Sequence, residues 1–173
     1  KNIPTKYVKK IDLTWALEDL SKLNDQHTDG NYILIFPFCS SKHQNKKWPY
    51  FKELINVIRQ EYNNRYNLLI SPGPREIEEA NELNARTILN NGEPINIKML
   101  ISLINKAKFV VANDTGPAHI ASHLNKNGLV LFGSHTTAKK VSIENSYFKA
   151  ISVEDLKNLT VEMVLKEIKS NLN

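Results

Sequence analysis

Residues 113–124 read NDTGPAHIASHL, and the first seven of them carry groups able to hold an anionic ester: the carboxylate of Asp114, the hydroxyl of Thr115, the bare backbone of Gly116 and the imidazole of His119. Ahead of this stretch KFVVA is a short β-branched run, and behind it Ile120, Ala121 and Leu124 recur at helical spacing. The pattern predicts a strand-to-helix turn. Asp114 or Thr115 is suited to cap the helix, Gly116 to let the backbone turn sharply and approach another group, and Pro117 to take the first helical position. A helix that starts this way presents unpaired N–H donors and the positive end of its dipole. In open α/β sheets the crevice beyond the strand ends is the usual ligand site. Phosphate binding is the chemistry expected of the turn; the competing expectation is a well-capped helix and nothing more.

Two more polar turns follow apolar runs. CSSKHQNKKWP comes after YILIFPF, and SPGPRE after YNLLIS. They contribute the hydroxyls of Ser40 and Ser41, the ammonium of Lys47 and the carboxylate of Glu76. With Asp114 and Thr115 these make a set suited to a nucleotide: cation and amides on a diphosphate, a carboxylate on ribose hydroxyls. Neither G-x-G-x-x-G nor G-x-x-x-x-G-K-[ST] occurs, which argues against NAD bound in the usual mode and against a P-loop triphosphate site.

The elements that must position these turns are legible from periodicity. Residues 1–31 are polar apart from an amphipathic stretch, LTWALEDLSKL, and end in the turn-rich NDQHTDGN; they read as a lead-in or linker. From Tyr32 to residue 173 the chain reads as one Rossmann-like domain. A strand at YILIFPF is followed by a helix carrying Phe51, Leu54, Ile55, Ile58 and Tyr62 on one face. Next come a strand at 66–71, a charged helix from about Arg75 to Ala85 and a weak strand near Thr87 to Leu89. A helix carrying Ile97, Leu100, Ile101 and Ile104 precedes FVVA; strands at 128–133 and 148–151 and a closing helix marked by Val161, Val164, Leu165 and Ile168 complete the order. Alternation with short connections and continuous apolar strands predicts an α/β fold, a doubly wound parallel sheet covered by helices on both faces. Right-handed crossovers then bring the three polar turns to one edge.

Composition narrows the classes. With 173 residues, 41% of them hydrophobic, the chain is large enough for one core but cramped for two. The formal charge of +5 comes from scattered cations, mostly Lys, amid abundant Asn and Ile, so nucleic-acid binding is not expected. A single cysteine, Cys39, excludes an internal disulfide and any multi-cysteine metal site, fits a reducing compartment, and reads as a small buried hydrophobe. No apolar run approaches the roughly 18 residues of a spanning helix, and no signal peptide is evident, so a cytoplasmic location is expected. The chain starts with Lys, which is expected of a piece of a longer protein.

Four stretches, ILIFPFCSSKHQNKKWP, LLISPGPREIEEA, AKFVVANDTGPAHIASHL and GLVLFG, together resemble the C-terminal half of the ADP-heptose:lipopolysaccharide heptosyltransferases, with D-T-G-P-x-H and K-x-W-P the most distinctive elements. The likeness covers about Tyr32 to Ser134. It implies the donor-binding half of a GT-B type glycosyltransferase built from two facing Rossmann-like domains. The donor would be ADP-heptose or a related nucleotide-sugar, and the reaction inverting transfer to a lipopolysaccharide core acceptor held by the other half. Carried over by position, Ser40 and Ser41 would lie beside the diphosphate and Lys47 would neutralise it. Glu76 would take the ribose hydroxyls, Asp114 the sugar hydroxyls, Thr115 and Gly116 the phosphates, and His119 would complete the shell. The resemblance implies no metal and no cofactor, and puts the general base in the missing N-terminal half, so this chain alone is expected to bind donor without transferring sugar. A peripheral contact with the cytoplasmic face of the inner membrane is a further expectation, for which Lys139 and Lys140 are candidates beside their reading as plain surface charge.

Two departures stand out. Phe36, Pro37 and Phe38 replace the family's H-P-G, and the missing Gly is expected to alter how the backbone approaches phosphate; SHTTAKKV replaces P-T-D-P after LFG, so the sugar pocket is expected to differ and to admit another nucleotide-activated sugar. Trp48 reads as a packing anchor, while His43, His123 and His135 show no metal-ligand spacing. A non-catalytic nucleotide- or polyanion-binding module is the alternative from a different functional class.

Overall fold

The computed structural model describes residues 11–23 and 26–172. The first strand, β1 (Tyr32–Phe36), leads through a 3₁₀ turn at Ser41–Lys46 into helix α1 (Phe51–Glu61). Then come β2 (Asn67–Ile70), the short helix α2 (Ile77–Asn81), β3 (Arg86–Thr87) and a hairpin of β4 (Leu89–Asn90) and β5 (Glu93–Pro94). Helix α3 (Ile97–Lys106) precedes β6 (Phe109–Asn113), α4 (Gly116–His123) and β7 (Gly128–Phe132). The chain closes with α5 (Ala138–Val141), β8 (Phe148–Ser152) and α6 (Val161–Leu172).

Six strands form a parallel sheet in the order β3-β2-β1-β6-β7-β8. The chain builds outward from β1 on one side and, after α3, outward from β6 on the other. That is the doubly wound arrangement predicted from the alternation. Strands β1, β6 and β7 are buried along their whole length, as continuous apolar runs between two helical layers must be. Their side chains alternate between faces: Ile33, Ile35, Val111 and Leu131 pack with α1 and α6, and Leu34, Phe36, Val110 and Val130 with α3 and α4. Close strand packing shows at Gly128, where a Cβ would lie 2.6 Å from the Val110 carbonyl and 2.5 Å from the Phe148 ring.

Two local expectations need correction, and a third stretch gains a defined place. The helix expected over 75–85 is confined to Ile77–Asn81, because Asn84 takes a left-handed backbone (φ 50°) that ends the helical run. Where one weak strand was expected near Thr87 to Leu89, the edge strand β3 and a separate hairpin occur, the latter turning on Asn91 and Gly92, both at positive φ. The stretch LTWALEDLSKL forms two 3₁₀ turns, Thr14–Ala16 and Leu20–Leu23, that dock Ala16, Leu20 and Leu23 in the core beside α3. The Glu18 N–H donates to the Ser102 hydroxyl at 2.6 Å. The lead-in is thus tied to the domain through residues 11–23; residues 1–10 lie outside the described residues.

No helix among the described residues is long and apolar enough to cross a membrane.

Candidate functional site

The strand order reverses between β1 and β6, and the carboxyl ends of these neighbours form the switch point where an α/β sheet opens its crevice. Asn113, the last residue of β6, closes the base of the crevice. Its amide nitrogen donates to the Pro37 carbonyl at 2.8 Å, and its Oδ1 accepts the Trp48 N–H at 3.1 Å. Both bonds are buried, so one side chain joins the end of β1 and the entrance of α1 to β6. Trp48 is the packing anchor expected: fully enclosed, edge-on to Tyr50 and Phe51, its indole N–H donates to the Leu159 carbonyl at 2.9 Å.

Above this base lie two adjoining clefts of about 560 and 390 Å3 that share Phe38, Cys39, Ser40, Gly73, Pro74 and Glu76. The larger also takes in Phe36, Pro94, Ile95, Leu100, Thr115 and Pro117, which gives it apolar walls; the smaller takes in Ser41, Gln44, Lys47 and Glu79. The turns after β1, β2 and β6 therefore meet as right-handed crossovers require. Of the expected site residues, Ser40, Ser41, Lys47, Glu76 and Thr115 line these clefts.

Glu76 is partly committed. Its Oε2 accepts the Gly73 N–H at 2.7 Å and stabilises the SPGPRE turn, leaving Oε1 as an acceptor toward the cleft it lines. Thr115 stands at the N-cap of α4, but its hydroxyl turns back to the Asn113 carbonyl at 3.3 Å, so the helix start has no side-chain cap. Gly116 has no need of a positive φ, and a Cβ added there would meet nothing within 4 Å. Neither a left-handed backbone nor crowding therefore requires glycine at this position.

Asp114 and His119 form a second group. The Asp114 carboxylate is only 5% exposed and lines neither cleft. Lys46 Nζ donates to its Oδ2 at 2.7 Å, His135 Nε2 approaches the same oxygen at 3.1 Å, and His119 Nε2 lies 3.6 Å from Oδ1. The imidazole of His119, helped by the Lys46 ammonium and the His135 ring, holds the carboxyl well below the usual carboxylate range although burial pushes the other way. Lys46, not Lys47, reaches this carboxylate; Lys47 pairs with Glu79 and lies over the Phe38 ring at 5.6 Å. Lys46 ends the 3₁₀ turn and Lys47 follows it with an extended backbone, so the two side chains diverge; the lysine of K-x-W-P is Lys46.

His135 was also outside the expected site. Residues 133–137 follow β7, whose end pairs beside β6, so this turn reaches the same rim as the other three. Counting a fourth turn would have found it. Cys39 differs from its reading as a buried hydrophobe: half-buried, it lines both clefts and its thiol contacts the His43 carbonyl at 3.2 Å, with burial raising its pKa. Lys139 and Lys140 are exposed in α5. Among the described residues no group of three or more His, Cys, Asp and Glu side chains is arranged to hold a metal ion.

Comparison with known proteins bears on this geometry. Residues 2–167 match the family model for glycosyltransferase family 9 (heptosyltransferase). The chain is similar to the lipopolysaccharide core heptosyltransferase OpsX of Haemophilus influenzae, 32% identical over 148 residues that make up 80% of this chain and 42% of the relative. Among solved structures it superposes on E. coli heptosyltransferase WaaC with ADP at a TM-score of 0.72 and 21% identity, covering 83% of this chain and 45% of that one. With E. coli ADP-heptose lps heptosyltransferase II the TM-score is 0.70 at 17% identity, covering 90% and 52%. At these identities the structural matches establish the fold. The chain spans less than half the length of the curated relative it matches.

Proposed function

The chain belongs to glycosyltransferase family 9, the heptosyltransferases, and from that membership we propose that it is the donor-binding half of a GT-B type sugar transferase, taking ADP-heptose or a related nucleotide-sugar. The observation that carries the reading is the meeting of the turns after β1, β2 and β6 on two contiguous clefts at the strand-order reversal. Apolar walls at Phe36, Ile95 and Leu100 suit a nucleobase, and the spare oxygen of Glu76 suits ribose hydroxyls. Ser40, Ser41 and the uncapped amides at Thr115 and Gly116 suit a diphosphate. Beside Lys47, which lines the smaller cleft, Lys46 is a cation that could turn from Asp114 to the phosphates, and that movement would free a carboxylate oxygen for sugar hydroxyls, with His119 alongside.

In transfer, the ammonium and the helix start would stabilise the charge developing on the departing nucleoside diphosphate, as fixed donors and dipoles do best in a shielded site. The general base that deprotonates the acceptor hydroxyl is assigned to the other half of the protein, together with the lipopolysaccharide core acceptor and a peripheral contact with the inner membrane. This chain alone would then bind donor and transfer nothing.

Thermal unfolding with ADP, UDP and GDP tests the reading. At a hundredfold excess over Kd, ADP should stabilise the fold by about 2.7 kcal/mol. A well-folded chain that none of the three diphosphates stabilises would overturn it, and a preference for UDP or GDP would replace the donor.

A further inference from the structure

His135 stands on the turn where the sequence departs from its family resemblance, and it is the most enclosed of the three groups around Asp114. Its side chain is 6% exposed, against 25% for Lys46 and 38% for His119. The ring stacks on Phe132 at 5.9 Å with a 25° interplanar angle, which fixes the direction of Nε2 toward Asp114. The other ring nitrogen, Nδ1, is buried without a hydrogen-bond partner. A buried imidazole that leaves one nitrogen unsatisfied is held by its packing and by the single bond it does make.

We propose that His135 is a positioning residue of the sugar subsite: it holds the Asp114 carboxylate in place once Lys46 has turned to the diphosphate. The proposal rests on the donor-site reading above. Lys46 is a flexible chain that a phosphate can draw away, and His119 sits at a looser 3.6 Å, so without His135 the carboxylate would lose its rigid partner when the donor arrives. His135 touches neither phosphate nor nucleobase in this scheme. Its effect should therefore fall on the sugar-bearing ligand and spare the bare nucleotide.

Calorimetric titration of the whole chain with ADP and with ADP-heptose separates the cases. H135A and H135N, whose side chains fall short of Asp114, should weaken ADP-heptose about tenfold while changing ADP less than about twofold, in line with one charge-assisted hydrogen bond. H135Q, whose amide nitrogen reaches the Nε2 position, should restore the sugar-bearing ligand. A urea-unfolding cycle of H135A, D114N and the double variant, without ligand, should be non-additive. An additive cycle, equal losses for the two ligands, or failure of H135Q to rescue would overturn the proposal. A non-additive cycle in a folded chain that binds neither ligand would leave His135 anchoring Asp114 and would overturn the donor reading instead.

Discussion

The ammonium of Lys46 lies 2.7 Å from Oδ2 of Asp114 and joins the turn before α1 to the turn before α4 across the switch point of the sheet. Its neighbour Lys47 pairs with Glu79 on the rim of the smaller cleft. The two lysines should separate on mutation. K46A should lose ADP affinity by about tenfold or more, as removal of a charged partner from a phosphate does. K47A should lose about threefold or less, since its pair is exposed and such pairs are worth little. Isothermal titration of both variants checks this, and a larger loss in K47A would move the diphosphate to the other lysine.

Asp114 should write its ion pairs into the pH dependence of stability. Its folded pKa is depressed, so its contribution is present above the unfolded value near 3.9 and is lost as pH falls below it. D114N cannot show that loss. The stability difference between the wild type and D114N, read from urea midpoints, should be largest above about pH 5 and shrink toward pH 3. A difference that stays constant over that range would mean the carboxyl is not held ionised by His119, Lys46 and His135.

Gly116 offers a test that separates folding from binding. Its backbone is ordinary helix and an added Cβ meets open space, so G116A should fold with unchanged or slightly raised stability, by up to about 1 kcal/mol. G116V places more bulk over the helix start and should reduce ADP affinity while the fold persists. Melting curves and titration on the same samples read both effects; full affinity in G116V would remove the helix start from the phosphate site.

Asn113 should matter to everything above it. N113A leaves the Trp48 N–H and the Pro37 carbonyl buried without their partner, at a cost of about 2–4 kcal/mol. Urea unfolding gives the loss directly. A cost under about 1 kcal/mol would show that the ends of β1 and β6 are held together without it.

The polar head of the turn at 113–119 illustrates how far local reasoning reached. The strand, the helix and the gathering of turns on one rim follow from periodicity and the handedness of crossovers, which are properties of consecutive residues, so they were open to reading in NDTGPAH and its flanks. The roles within the turn were not. Asn113 staples two strands, Thr115 bonds backward, and Gly116 adopts a backbone that any residue could take. Likewise the choice of Lys46 over Lys47 depends on where the 3₁₀ turn ends, and the Asn91–Gly92 dipeptide makes a hairpin where a single strand is expected.

Fold class, the alternation of strands and helices, and the family to which the chain belongs were thus written in the order and spacing of residues, because hydrophobic period and motif spacing are one-dimensional. The Asp114 cluster was a matter for the packed molecule. Lys46 and His135 come from the turns after β1 and β7, and only the registry of β1, β6 and β7 brings those turns to the buried carboxylate, whereas His119 reaches it from α4, five residues along the same strand-to-helix unit.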